Sequence, residues 1–149
     1  PLYPDMTVRH FLHYIGDLKG ADAASLNQAI ELAQISDVLP QNTETLSKGY
    51  QRRVGFAAAI LTNPQILLLD EPTDGLDPNQ KEHIQNLIRQ MGKNKTILIS
   101  THLLDEAESI ADRIIVMAHG QIKADGSLSA ICRQTRTDTL ADAFKQLTL

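Results

Sequence analysis

The chain is poor in cysteine, has no apolar run longer than a strand, and carries no excess of positive charge. Cys132 is the only cysteine among 149 residues. No disulfide can form within the chain, which fits a reducing compartment, and Cys132 reads as a small apolar helix residue. The longest apolar runs fall well short of the roughly 20 residues a membrane-spanning helix needs. No charged-then-apolar leader pattern opens the sequence. With 14 Lys and Arg against 18 Asp and Glu, the formal charge is −4, so there is no polycationic surface for nucleic acid. Internal repeats and low-complexity segments are also lacking. The length suits one ordinary domain with a buried core.

Along the chain the apolar pattern changes once. Up to Asn63 it is helical: Val8, Phe11, Leu12, Ile15 and Leu18 fall at helix spacing behind Thr7, a plausible N-cap, and Gly16 and Gly20 loosen the far end. A second helix is expected from about Asp22 to Gln34 with Leu26, Ala29, Ile30 and Ala33 inward. A loop follows at Pro40-Gln41-Asn42-Thr43, then a third helix from Ser47 to about Leu61, ended by Asn63-Pro64. After Pro64, strands and helices alternate. A strand at Ile66 to Leu69 precedes a helix from Pro78 to Met91, with proline at the first helical position. A parallel strand from Thr96 to Ser100 and a short helix from Leu103 to Ile110 come next. Ile114 to Met117 and Gln121 to Ala124 flank Ala118-His119-Gly120 as an antiparallel hairpin. Terminal helices are expected near Ser127 to Cys132 and Thr139 to Leu147, the latter docking Leu140, Ala143, Phe144 and Leu147 on the sheet.

The most informative residues are Asp70 and Glu71. Ile66-Leu67-Leu68-Leu69 leads into them, an unbroken apolar run that predicts a strand buried on both faces. Pro72 cannot extend the strand, so both acids are expected at its C-terminal tip, where open α/β sheets bind ligands. Adjacent carboxylates there suit Mg²⁺ and the activation of water. An isolated Asp-Glu pair is usually a solvated turn, so its neighbours decide. Upstream stands Leu46-Ser47-Lys48-Gly49-Tyr50-Gln51-Arg52-Arg53-Val54. Downstream stand Asp74-Gly75-Leu76-Asp77-Pro78 and then Ser100-Thr101-His102.

In this order and at these intervals, the segments resemble the ATP-binding subunits of ABC transporters. Ser47 to Val54 is similar to the signature motif, Ile66 to Glu71 to the Walker B strand, Gly75-Leu76-Asp77 to the D-loop, and His102 to the switch histidine. Leu2-Tyr3-Pro4-Asp5-Met6-Thr7-Val8 resembles the start of the family's helical subdomain, so the likeness covers nearly the whole chain. It implies an α/β fold, a partial P-loop NTPase (RecA-like) core with an all-helical subdomain. Residues 1–63 would be the helical subdomain with the signature, 64–126 the C-terminal part of the core, and 127–149 C-terminal helices.

The resemblance also implies roles. Asp70 would sit in the Mg²⁺ shell, Glu71 would orient or deprotonate the attacking water, and His102 would contact the γ-phosphate of ATP. Ser47, Lys48, Gly49 and Tyr50 would face ATP held by a second nucleotide-binding domain, although Ser47 is by default a plain N-cap. The commonest family pattern is Leu-Ser-Gly-Gly-Gln; Lys48 and Tyr50 depart from it, adding a charge and removing an amide, but leave the serine and second glycine intact. Asp77 would couple the two sites, cap the following helix, or do both. His10, His13, His83 and His119 read as ordinary surface or packing residues. The implied cofactors are ATP and Mg²⁺, and the implied partners are a second nucleotide-binding domain and a membrane permease. Nucleic acid and direct membrane insertion are not implied. The implied location is the cytoplasmic face of a bacterial inner membrane, reached through the permease.

The family also needs a phosphate-binding loop, Gly-x-x-x-x-Gly-Lys-Ser/Thr, whose N–H groups cradle the phosphates. The only Gly-Lys step is Gly92-Lys93, followed by Asn94 and with Leu87 where the first glycine belongs. Neither this loop nor the family's glutamine loop is present, and there is no initiator methionine. The expectation is the C-terminal portion of a longer ATPase of bacterial exporter type, inactive when isolated. An assembly or regulatory subunit with a degenerate site is the alternative, against which Asp70, Glu71 and His102 stand intact. A DNA-repair ATPase of the same family would carry long heptad repeats, absent from Pro1 to Thr45.

Overall fold

A computed structural model describes residues 2–149. The chain forms two compact units, one up to Ser100 and one from Thr101 to Leu149.

The first unit opens with α1 (Val8–Lys19), α2 (Ala23–Leu32) and α3 (Lys48–Ile60). Thr7 caps α1 by accepting the His10 N–H at 3.2 Å, and Gly20, at φ 70°, ends it in the left-handed conformation that glycine adopts without strain. Val8, Phe11 and Leu12 are buried, whereas Leu18, expected inward, is 66% exposed. It sits in the last turn of the helix, two residues before Gly20. Asp22 caps α2, which stops two residues short of Gln34; Gln34 itself turns left-handed at φ 52°. The expected loop at Pro40 to Thr43 is more ordered than loop chemistry predicts. Thr43 is buried, opens a 3₁₀ turn (Thr43–Thr45), and donates its hydroxyl to the Tyr3 carbonyl at 2.6 Å. Its N–H reaches the Met6 carbonyl, so this segment closes over the start of α1.

Beyond Pro64, β1 (Ile66–Asp70) pairs in parallel with β2 (Thr96–Ser100), with Asp70 opposite Ser100; α4 (Pro78–Gly92) crosses over between them and packs on β2. Both-face burial of β1 is not found. Leu67 and Leu69 are buried, but Ile66, Leu68 and Leu98 are 65%, 71% and 59% exposed. Side chains alternate across a strand, and this unit covers one face of the pair while leaving the other open. The apolar run thus marks a strand able to be buried twice, of which one burial is present.

In the second unit, α5 (Leu104–Ile110) precedes the antiparallel hairpin β3 (Ile114–Ala118) and β4 (Gln121–Gly126). His119 and Gly120, at φ 53° and 72°, make the two-residue turn with the positive φ angles that match strand twist. A bulge separates Val116 from Met117. α6 (Leu128–Thr135) runs a turn beyond the expected Cys132, to a left-handed Arg136, and α7 (Leu140–Thr148) follows. Ile114, Val116, Ala124, Ile131, Leu140 and Ala143 form one core with Leu147 against it. Phe144, expected in that stripe, is 38% exposed.

Candidate functional site

The C-terminal tip of β1 concentrates the chemistry of the first unit. Asp70 is the last strand residue and is exposed; Ser100, opposite it on β2, donates its hydroxyl to the Asp70 carboxylate. The Glu71 N–H donates to the Ser100 carbonyl at 2.9 Å, carrying the backbone pairing one residue past Asp70. At Glu71 the chain swings into the left-handed region, φ 45°. That conformation costs a side-chain-bearing residue of order 1–3 kcal/mol and persists only where surroundings enforce it. Here the Ser100 contact and the buried pair Pro72-Thr73 enforce it, and the strain turns the half-buried Glu71 out of the strand's alternation.

The chain then makes a tight turn. Asp74 N–H donates to the Glu71 carbonyl at 3.2 Å and Leu76 N–H to Thr73 at 3.3 Å, with Gly75 at φ 73°. Asp77 accepts the Gln80 N–H at 3.0 Å, capping α4, with Pro78 at the first helical position. The capping role read from the sequence is therefore present.

The start of α3 lies against this turn. The Ser47 hydroxyl accepts the Tyr50 N–H at 3.3 Å, leaving Ser47 and Lys48 exposed at the helix N-terminus. Gly49 is buried, and a Cβ on it would stand 3.2 Å from Gln80 Oε1, 3.3 Å from the Gly75 carbonyl oxygen and 3.5 Å from Leu76. Glycine is needed here for the close approach of two backbones. Arg52 adds a surface ion pair to Asp74 at 3.5 Å, worth no more than about 1 kcal/mol. A cleft of about 930 Å³ opens beside these groups, between Phe56 and Lys48 of α3 and Leu68, Asp70 and Asp74. Sequence order separates Ser47 to Tyr50 from Asp70 to Asp77; the first unit brings both groups together.

His102 belongs to the second unit and is exposed. Its neighbours are fixed: the Thr101 hydroxyl donates to the buried Glu106 carboxylate at 2.6 Å and accepts the Leu103 N–H at 3.1 Å. Glu106 escaped the sequence reading because an acid in a helical first turn looks like a solvated charge.

Tyr50 carried a second surprise. Its hydroxyl donates to Asp37, and Arg53, 5% exposed, lies 4.2 Å over its ring. The Asp37 carboxylate raises the Tyr50 pKa, because it favours the protonated phenol. Nothing local in the sequence links residues 37 and 50. Ser100 was legible in principle, since aligning the two strands by their apolar runs sets it opposite Asp70.

Mg²⁺ asks of a protein one or two carboxylates and takes its remaining oxygens from phosphates and water. Asp70, exposed and oriented by Ser100, fits that demand. Among the described residues no three His, Cys, Asp or Glu side chains converge as a self-contained metal centre, so an ion here would take its remaining oxygens from water or a bound ligand. No helix of the described residues is long and apolar enough to cross a membrane.

Known proteins bear on this geometry. A family model described as "ABC transporter" matches residues 1–74. A solved "ATP binding subunit of ABC transporter" superposes with a TM-score of 0.87 at 28% identity, covering 99% of this chain and 64% of that one. The "Uncharacterized ABC transporter ATP-binding protein YxlF" of Bacillus subtilis (strain 168) is 29% identical over 154 aligned positions, 98% of this chain and 52% of its own length. The human "Cholesterol transporter ABCA5" is 34% identical over 134 residues, 86% of this chain but 8% of its own length. The fold is thus that of a P-loop NTPase. The chain is homologous to the ATP-binding proteins of ABC transporters and shares their fold. It spans about half the length of YxlF and a small part of ABCA5.

Proposed function

We propose that this chain is part of the ATP-hydrolysing subunit of a bacterial ABC transporter of exporter type, which powers a separate membrane permease from the cytoplasmic face of the inner membrane. The observation that carries the reading is the β1 tip: Asp70 oriented by Ser100, and Glu71 held in strained backbone one residue on. Residues 1–63 serve as the helical, permease-facing part, 64–126 as the ATPase core, and 127–149 as C-terminal helices.

Two such subunits assemble head to tail. Ser47, Lys48, Gly49 and Tyr50 face the γ-phosphate of ATP bound by the partner, where the N-terminal end of the α3 dipole favours an anion. Glu71 positions the attacking water and accepts its proton, and His102 holds the γ-phosphate side. Asp70 is the residue that would hold Mg²⁺. When bound, that ion supplies charge neutralisation on the phosphates. Phosphoryl transfer rests mainly on such positioning and electrostatics. Asp77 caps α4 and relays the state of one site to the other through the turn that touches Gly49.

In the full-length protein, Glu71→Gln is expected to trap an ATP-bound dimer, seen by size-exclusion chromatography with MgATP; wild-type turnover by that variant would remove Glu71 from its role. The 149-residue chain alone is proposed to bind MgATP barely and not to hydrolyse it, since its sequence contains no phosphate-cradling loop. Saturable micromolar binding in calorimetry would sink that proposal.

A further inference from the structure

We infer that Tyr50, Asp37 and Arg53 form a clamp that holds the first turn of α3 in place for nucleotide recognition; this deepens the reading of Ser47 and Gly49 above and rests on it. The Tyr50 hydroxyl is spent on Asp37, in the 3₁₀ turn Ser36–Val38. The phenol therefore acts on the segment behind the helix, and Tyr50 is a positioning residue.

Arg53, one turn along α3, stacks on the same ring at 4.2 Å, and its Nη1 donates to the Gln34 carbonyl at 2.8 Å. It is almost fully buried, and its Nε has no hydrogen-bond partner. A buried cation with an unpaired donor is costly. The ring face of Tyr50 and the Gln34 carbonyl are what offset that cost, so the tyrosine is bound at both its hydroxyl and its π-face. The turn that receives these contacts is itself tied down. His83 of α4 contacts the Leu32 carbonyl through Nε2 at 2.8 Å and Gln34 Nε2 through Nδ1 at 3.5 Å.

The same short segment, residues 32–37, thus anchors both α3, which begins beside Ser47, and α4, which is capped by Asp77. Gly49 touches the Gly75-Leu76 turn and Gln80 directly, with clearances of 3.2 to 3.5 Å for a Cβ. A small tilt of α3 would open that contact and shift the Ser47 hydroxyl with it. A tyrosine in place of the family's usual glutamine is therefore a gain in anchoring, not merely the loss of an amide.

The experiment uses the full-length protein and four forms: wild type, Tyr50→Phe, Asp37→Ala and the double variant. Tyr50→Phe keeps the ring and the Arg53 stacking, so folding is not at risk. Two readouts are needed. Amide hydrogen exchange of the 47–52 segment should speed up in both single variants and no further in the double. ATPase kcat/KM should fall roughly three- to tenfold in each single variant, with the double no worse than either, as expected for loss of one exposed hydrogen bond. Unchanged exchange in both singles overturns the clamp. So does a loss of activity in Tyr50→Phe that Asp37→Ala does not share, which would mean that the phenol acts at the nucleotide itself. Ser47→Ala is the reference: wild-type turnover there defeats the signature reading, while hydrogen exchange still decides the clamp.

Discussion

Gly49, in the first turn of α3, lies against the carbonyl of Gly75, so close that a Cβ on Gly49 would come within 3.3 Å of that oxygen. A backbone carbonyl cannot swing aside as the Gln80 side chain can. Gly49→Ala therefore sets a helix-propensity gain of about 1 kcal/mol against an overpacking cost of about 1–3 kcal/mol. The expected outcome in urea denaturation is net destabilisation by about 1 kcal/mol. Gly55, in the same helix, is the control: a Cβ there meets nothing within 4 Å, so Gly55→Ala should stabilise by roughly 0.5–1 kcal/mol. Equal effects at the two sites would deny the close contact.

The two faces of β1 call for opposite responses. Leu67 is 3% exposed and Leu68 71%. Leu67→Ala should cost about 2–5 kcal/mol, whereas Leu68→Ala in the 149-residue chain should stay within about 0.5 kcal/mol. The pair of urea midpoints checks this, and a large loss at Leu68 would place that face in a core.

Much of this architecture was legible because it is written in local pattern. Thr7, Asp22 and Asp77 announced helix starts, Asn63-Pro64 a stop, and His119-Gly120 a hairpin, since caps and turns depend on neighbours within a few residues. What depended on distant residues was not. Thr43 lies in a Pro-Gln-Asn-Thr stretch that reads as loop, yet it is buried by a hydrogen bond to Tyr3, 40 positions away. Leu68 has the hydropathy of a core residue, and only the placement of α4 decides which side of the strand is covered. At the candidate site, residue types and order marked Asp70, Glu71 and Ser47. Of their supports, Ser100 could be found by aligning the two apolar runs, whereas Asp37 became visible only once the helices were in place.

Acid should weaken one specific tie in the second unit. Arg113 grips Asp125 with two hydrogen bonds, Nε at 2.7 Å and Nη2 at 2.8 Å, and this holds the Asp125 carboxyl below its ordinary value. A carboxylate whose pKa is lowered by folding contributes stability above its unfolded value, near pH 4, which is lost as pH falls through the folded value. The pair is exposed, so its contribution is small and screened by salt. Asp125→Asn should therefore lower the melting temperature slightly at pH 7 and leave it unchanged near pH 2. The same deficit at both pH values would mean that the charge is irrelevant.

Arg136 ends α6 at φ 56°, a conformation that suits glycine. Arg136→Gly should raise stability by up to about 1 kcal/mol in thermal unfolding; a loss would show that the arginine side chain matters more than its backbone.

The central proposal is that Glu71 and Ser47 act on one ATP from different subunits. The most direct test mixes two inactive full-length proteins, one carrying Glu71→Gln and the other Ser47→Ala, and measures ATP turnover against each alone. A mixed dimer has one site with both lesions and one site with neither, so regained turnover on mixing is the predicted result. Two proteins that stay inactive together, although they are shown to form mixed dimers, would contradict it.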